Sequence, residues 1–149
     1  MKYFLFFLTS CGLILLFAGC ASRKSLPDSR ILSFNYVKQG TRSVPDMVRS
    51  VSLMPDGRCL AQMVDFEKVD STVCGPEVMD KIYDCLKRGK IQNYKERYRP
   101  HVRIYDGYSW TVGVKFENGE SISSGGYMAY PKDFSAVKDA IDIIEHLFK

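Results

Sequence analysis

The chain has 149 residues, with 21 basic and 17 acidic side chains and a formal charge of +4. That is the length of one domain with one core. A composition of 46% apolar and 26% charged residues excludes a disordered or collagen-like chain, and no repeat at a period of 20–50 residues suggests a solenoid.

Residues 3–17, YFLFFLTSCGLILLF, carry no charge and follow Lys2. The run is long for the apolar region of a signal peptide and short for a comfortable membrane span. Ala18 and Gly19 then place two small side chains before Cys20. Small side chains suit the narrow cleft of a signal peptidase, and a newly exposed amino-terminal cysteine offers a thiol for acylation. Phe17-Ala18-Gly19-Cys20 resembles a bacterial lipobox, with Phe17 where that family usually has Leu. The resemblance implies that residues 1–19 are a lipoprotein signal peptide and that Cys20 carries the lipid, palmitate or a similar acyl chain. An uncleaved anchor and an ordinary secretory signal are the competing readings, and all three export the domain. Several acyl chains on one cysteine give durable anchoring, since each buried methylene contributes about 0.8 kcal/mol. Ala21, rather than Asp, follows the cysteine, which resembles the sorting pattern for the outer membrane. Residues 20–30 then read as a lipidated amino terminus and a polar tether, with 31–149 as the single domain.

Residues 31–37 alternate as a strand, with Leu32, Phe34 and Tyr36 sharing a face. Residues 48–54 and 58–66 form a hairpin around Pro55-Asp56-Gly57, where Pro55 sets φ and Gly57 tolerates positive φ. Gly75-Pro76 opens a helix, with Pro76 at its first position. Val78, Met79, Ile82, Cys85 and Leu86 fall at helical spacing, and Gly89 ends the helix. A short strand is expected at 101–105 and a longer one at 109–116, with Trp110, Val112, Val114 and Phe116 on one face. Asn118-Gly119 marks a hairpin. A two-residue loop would turn Ile122 outward, whereas a three-residue loop, Glu117-Asn118-Gly119, pairs it with Val114. Burial of Ile122 is worth about 1.5–3 kcal/mol, so the three-residue loop is expected, with the last strand near 120–125. Asp133 is expected to cap a final helix that buries Phe134, Val137, Ile141, Ile144 and Phe148. The fold class is α+β: an antiparallel sheet of about five to six strands with two helices on one face.

Beyond Cys11 and Cys20, three cysteines remain. Cys74 and Cys85 stand at opposite ends of one helix, about 16 Å apart, too far for a bridge. Cys59 with Cys74, or Cys59 with Cys85, stays open, and three small core residues is the favoured reading. No C-x-x-C suggests a thioredoxin-type role. His101 and His146 lack zinc-ligand spacing, so no metal or cofactor is expected. Ser123 and Ser124 precede Gly125-Gly126 without any motif linking them to a histidine, so no catalytic residue is assigned.

Residues 87–103 hold seven basic residues and one acid, Glu96, with Tyr94 and Tyr98 interleaved. In the cytoplasm this pattern would suggest nucleic acid, but export argues against that. Lys95, Arg97 and Arg99 in this run, with Tyr105, Tyr108, Trp110, Tyr127 and Tyr130 nearby, form the candidate binding surface. The stretch D-G-Y-x-W, N-G, then S-x-G-G-Y-x-A-x-P-x-x-F within residues 105–134 resembles a group of exported bacterial domains, often on lipoproteins. That resemblance supports a domain starting near residue 31 and carries no residue roles with it. The expected function is a non-enzymatic binding or assembly module of the cell envelope, held to a membrane by its lipid, with an envelope protein, glycan or anionic surface as partner. The alternatives are an envelope hydrolase with a site not marked by a motif, and an inhibitor or immunity lipoprotein occluding a periplasmic enzyme or toxin.

Overall fold

A computed structural model describes residues 25–41 and 45–149. The expected leader, the lipobox-like stretch and Cys20 lie outside the described residues. The elements run β1 (Ile31–Gln39), β2 (Met47–Leu53), β3 (Cys59–Asp65), β4 (Lys68–Cys74), α1 (Glu77–Arg88), β5 (Arg97–Tyr98), β6 (Ser109–Phe116), β7 (Ser121–Tyr127) and α2 (Ser135–Glu145). Single 3₁₀ turns follow α1 and α2. The fold is α+β, with seven strands in one sheet in the order β4-β3-β2-β1-β6-β7-β5. All neighbours are antiparallel except β5, which lies parallel to β7, so the sheet is larger than expected and mixed.

Register sorts the side chains into two faces. Phe34, Val51, Val112, Val114 and Phe116 are fully buried on one face, and both helices cover it. Helix α1 contributes Val78, Met79, Ile82, Cys85 and Leu86 to this core, and α2 contributes Val137, Ala140, Ile141 and Ile144. The other face carries no helix and is largely hydroxyl and amide: Asn35, Ser50, Ser52, Thr111 and Ser123 share its parity. Its edge at β4 is apolar, with Val69 and Val73 exposed.

Several expected elements form as read. The Pro55-Asp56-Gly57 turn closes with Gly57 at φ +84, and Asp56 Oδ1 accepts the Arg58 N–H at 3.0 Å. Ile122 pairs with Val114 across a three-residue loop in which Gly119 has φ +86. Gly89 is the C-cap of α1, yet its conformation is right-handed, and Lys90 takes the left-handed one. The need for glycine there is packing: a Cβ on Gly89 would overlap the Cβ of Ala136 on α2.

Other expectations are corrected. β4 was not anticipated. Its core-side positions are Asp70, Thr72 and Cys74, so an edge strand here has no buried apolar stripe to betray it. The turn before it has no glycine, proline or asparagine, and Phe66 itself adopts φ 57. The strand expected at 101–105 is absent, and the backbone instead pairs earlier, at Arg97 and Tyr98. Leu32 does not share the face of Phe34. A bulge between Ile31 and Ser33 turns Leu32 out, 37% exposed, and puts Ile31 in the core at 2%. Asp133 does not cap α2 with its side chain: Phe134 is the N-cap, and the Asp133 carbonyl accepts the Ala136 N–H at 3.3 Å. Helix α1 begins at Glu77, with Pro76 one place earlier as N-cap.

The packed chain also starts before residue 31. Leu26 belongs to the core, 7% exposed. The Pro27 carbonyl accepts from the Tyr83 hydroxyl at 3.1 Å, and Ser29 Oγ accepts the Asn118 N–H at 3.1 Å. The Arg30 carbonyl accepts the Glu117 N–H at 2.9 Å.

Candidate functional site

Segment 95–98 is fastened to the free edge of β7. Ser124, buried on the core side, donates its hydroxyl to the Lys95 carbonyl at 2.7 Å, and the Gly125 N–H reaches the Glu96 carbonyl at 3.0 Å. The chain then crosses to the helix-free side and runs over it as residues 99–104. Tyr127, the last residue of β7, donates its hydroxyl to the Ile104 carbonyl at 3.3 Å and holds that loop in place.

Between loop and sheet lies a cleft of about 800 Å³. Its floor is the helix-free face, from Ser109, Thr111, Ser123 and Gly125. Gly125 keeps the floor flat, since a Cβ there would stand 2.9 Å from the Trp110 carbonyl oxygen. Three arginines, Arg97, Arg99 and Arg103, line the cleft against one carboxylate, Glu96. All three are exposed, and none is in an ion pair among the described residues. The Arg103 guanidinium lies 5.0 Å from the centre of the Tyr105 ring. Unpaired guanidinium groups beside hydroxyls suit an anion, because the planar fork can bond two oxygens of a carboxylate or phosphate at once.

The structure divides the residues of the expected binding surface. Arg97, Arg99 and Tyr127 line the cleft. Trp110 contributes to its wall but is a core residue, 1% exposed, with its indole N–H on the Ala129 carbonyl at 2.8 Å. Tyr130 stacks on Trp110 with ring centres 5.5 Å apart, and its hydroxyl donates to that of Tyr108. Lys38 Nζ sits 4.0 Å above the Tyr108 ring. Those two tyrosines therefore belong to an aromatic cluster away from the cleft. Lys95 is exposed beside that cluster, and its N–H bonds the Tyr98 hydroxyl at 3.0 Å. Tyr105 is exposed. Arg103, Glu96, Thr111 and the Ser123 floor were not singled out as binding residues. Strand parity at 109–116 and 121–127 is the signal that would have placed Thr111 and Ser123 together.

Burial dominates the phenol chemistry here. It pushes Tyr36 up to about 12, with help from nearby Tyr108, and pushes Tyr94 up to about 12, with help from the Asp133 carboxylate. Burial and the bond to Tyr108 raise Tyr130 as well. None of these groups is activated as a base near neutral pH.

The serines and histidines do not converge. Ser124 faces the core and is bonded to backbone, and His101 is exposed and outside the cleft lining. His146 bonds the Asp142 carbonyl through Nδ1 at 2.7 Å near the chain's end. Cys59 and Cys74 are direct cross-strand partners, and the Cys74 thiol lies 3.7 Å from the Cys59 carbonyl. Both are thiols, as is buried Cys85, and burial raises the first two above the ordinary thiol range. Among the described residues no group of His, Cys, Asp or Glu is placed to hold a metal, and no helix is long and apolar enough to cross a membrane.

Compared with known proteins, the chain matches no family model and no curated sequence.

Proposed function

We propose that the chain is a lipid-anchored binding module of the bacterial cell envelope, on the outer membrane, and that it works by holding an anionic ligand rather than by turning it over. The observation that carries the binding half is the cleft with three unpaired guanidinium groups over a hydroxyl floor. The lipobox-like Phe17-Ala18-Gly19-Cys20 carries the anchoring half. The ligand is a carboxylate- or phosphate-bearing group on an envelope glycan or protein.

Both halves are open to direct test. Metabolic labelling with a fatty acid should mark the wild-type chain and leave Cys20→Ala unmarked. The full chain in neutral detergent should bind inorganic pyrophosphate or citrate saturably and return it unchanged. Absence of label on the wild type removes the anchor. Loss of pyrophosphate by hydrolysis, abolished by Ser123→Ala, replaces the binding module with a hydrolase.

A further inference from the structure

The cleft and residues 25–30 lie toward opposite ends of β6 and β7 and on opposite faces of the sheet. Residues 25–30 enter on the helix-covered side, where Leu26 is buried and Pro27 meets Tyr83 of α1. They reach the sheet at the β6–β7 turn, where Ser29 and Arg30 bond the backbone of Asn118 and Glu117. The cleft is formed on the helix-free face, at the ends where β6 begins and β7 finishes. β6 spans seven residue steps, about 24 Å, and Gly125 beside Arg97 pairs with Thr111, five steps or about 17 Å from the Phe116 end.

The leash is short by comparison. Six residue steps join Cys20 to Leu26, at most about 20 Å when fully extended. That is less than the height of the sheet, and the leash starts on the wrong face for the cleft to be laid on the bilayer.

We infer that the anchored protein stands with its β6–β7 turn toward its own membrane and holds its arginine cleft away from it, so that the anion it binds is presented from beyond the membrane rather than by headgroups of its own leaflet. This rests on the anchor at Cys20. Lipid phosphates and free or polymer-borne phosphates offer the cleft the same chemistry, and position alone separates them. At 0.15 M salt the field of an anionic bilayer decays over about 8 Å, so arginines held about 17 Å beyond the turn stand about two such lengths away and feel little of it.

The test uses the full lipidated chain on vesicles. Flotation of the wild type with phosphatidylcholine vesicles, lost in Cys20→Ala, reports the anchor by itself. On floating protein, a lipid with a headgroup-attached nitroxide serves as contact quencher. Buried native Trp110 gives the unquenched background. The indole added by His101→Trp, at an exposed position in the loop over the cleft, should lose less than about a tenth of its emission, while the one added by Glu117→Trp should lose at least half; Glu120→Trp replaces the latter if that variant misfolds. Pyrophosphate should bind within twofold equally on phosphatidylcholine and phosphatidylglycerol vesicles at 0.15 M salt. Strong quenching of the indole added at position 101, no quenching of the one added at 117 or 120, or tenfold weaker pyrophosphate binding on phosphatidylglycerol overturns the orientation while flotation leaves the anchor standing. A wild type that does not float removes the anchor instead.

Discussion

The Arg49 guanidinium joins the sheet to the last helix: its Nε donates to Glu145 Oε1 at 2.8 Å, across 96 positions of sequence. The same side chain bonds both carboxylate oxygens of Asp65 on β3 and the carbonyls of Val48 and Val64. It is 3% exposed, on the core side of β2, with every donor direction occupied by oxygen. A buried charge is tolerable when it is paired and fully hydrogen-bonded.

Arg49→Ala should therefore cost about 2–4 kcal/mol in urea unfolding, since it leaves two carbonyls and two carboxylates without their donor. The partners are themselves partly exposed, which keeps the cost at the lower end of the range for a broken buried pair. Glu145→Gln should cost less, because Asp65 remains to pair the charge. A loss below about 0.5 kcal/mol for Arg49→Ala would show that the clamp is ornamental to stability.

Gly89→Ala should destabilise by about 1–3 kcal/mol, because the added methyl overlaps Ala136 and forces α1 and α2 apart. The second substitution Ala136→Gly should recover much of that loss, although glycine in a helix costs about 1 kcal/mol by itself. Additive costs in the double variant would contradict a direct contact between these positions.

The buried phenols give stability an alkaline limit. Tyr36 and Tyr94 are raised from 10 to about 12 in the folded chain. The folded state therefore keeps protons that the unfolded state has begun to lose. Their contribution is complete below pH 10 and disappears as pH rises toward 12. Thermal melts should be unaffected by these groups up to about pH 9 and should fall from pH 10 to 12, in step with tyrosinate absorbance. Tyr36→Phe should flatten part of that fall; an unchanged pH profile in this variant would contradict the assignment.

Arg97→Ala and Arg103→Ala should each weaken pyrophosphate binding to the full chain by about tenfold, the usual weight of a charge-assisted hydrogen bond. Both side chains are exposed, so the melting temperature should stay within about 2 °C. Lys81→Ala, on the outer side of α1, should leave affinity within twofold. Equal weakening by all three would mean diffuse attraction to a basic surface and no site.

Much of the architecture was legible because it is written in local periodicity. The alternation of 109–116 and the spacing of Val78, Ile82 and Cys85 match the repeats of a strand and a helix, so these elements form where expected. The Gly119 loop was legible because only one of the two registers turns Ile122 to the core side, where it packs partly buried. β4 was not, because a strand bordered on one side only needs no apolar alternation toward the core. Leu32 was misplaced because a single bulge reverses which residues face inward, and nothing in ILSFNYV marks it.

The amino-acid sequence by itself determined the strands that alternate, the two amphipathic helices and the tight turns, because each depends on chemistry within a few residues. Only the tertiary structure decided that Arg49 would be buried, that Leu26 would join the core and that Arg97, Arg99 and Arg103 would meet the Ser123 face. Those outcomes depend on which surfaces neighbouring strands and loops cover, and long-range pairing sets that coverage, which no local spacing records.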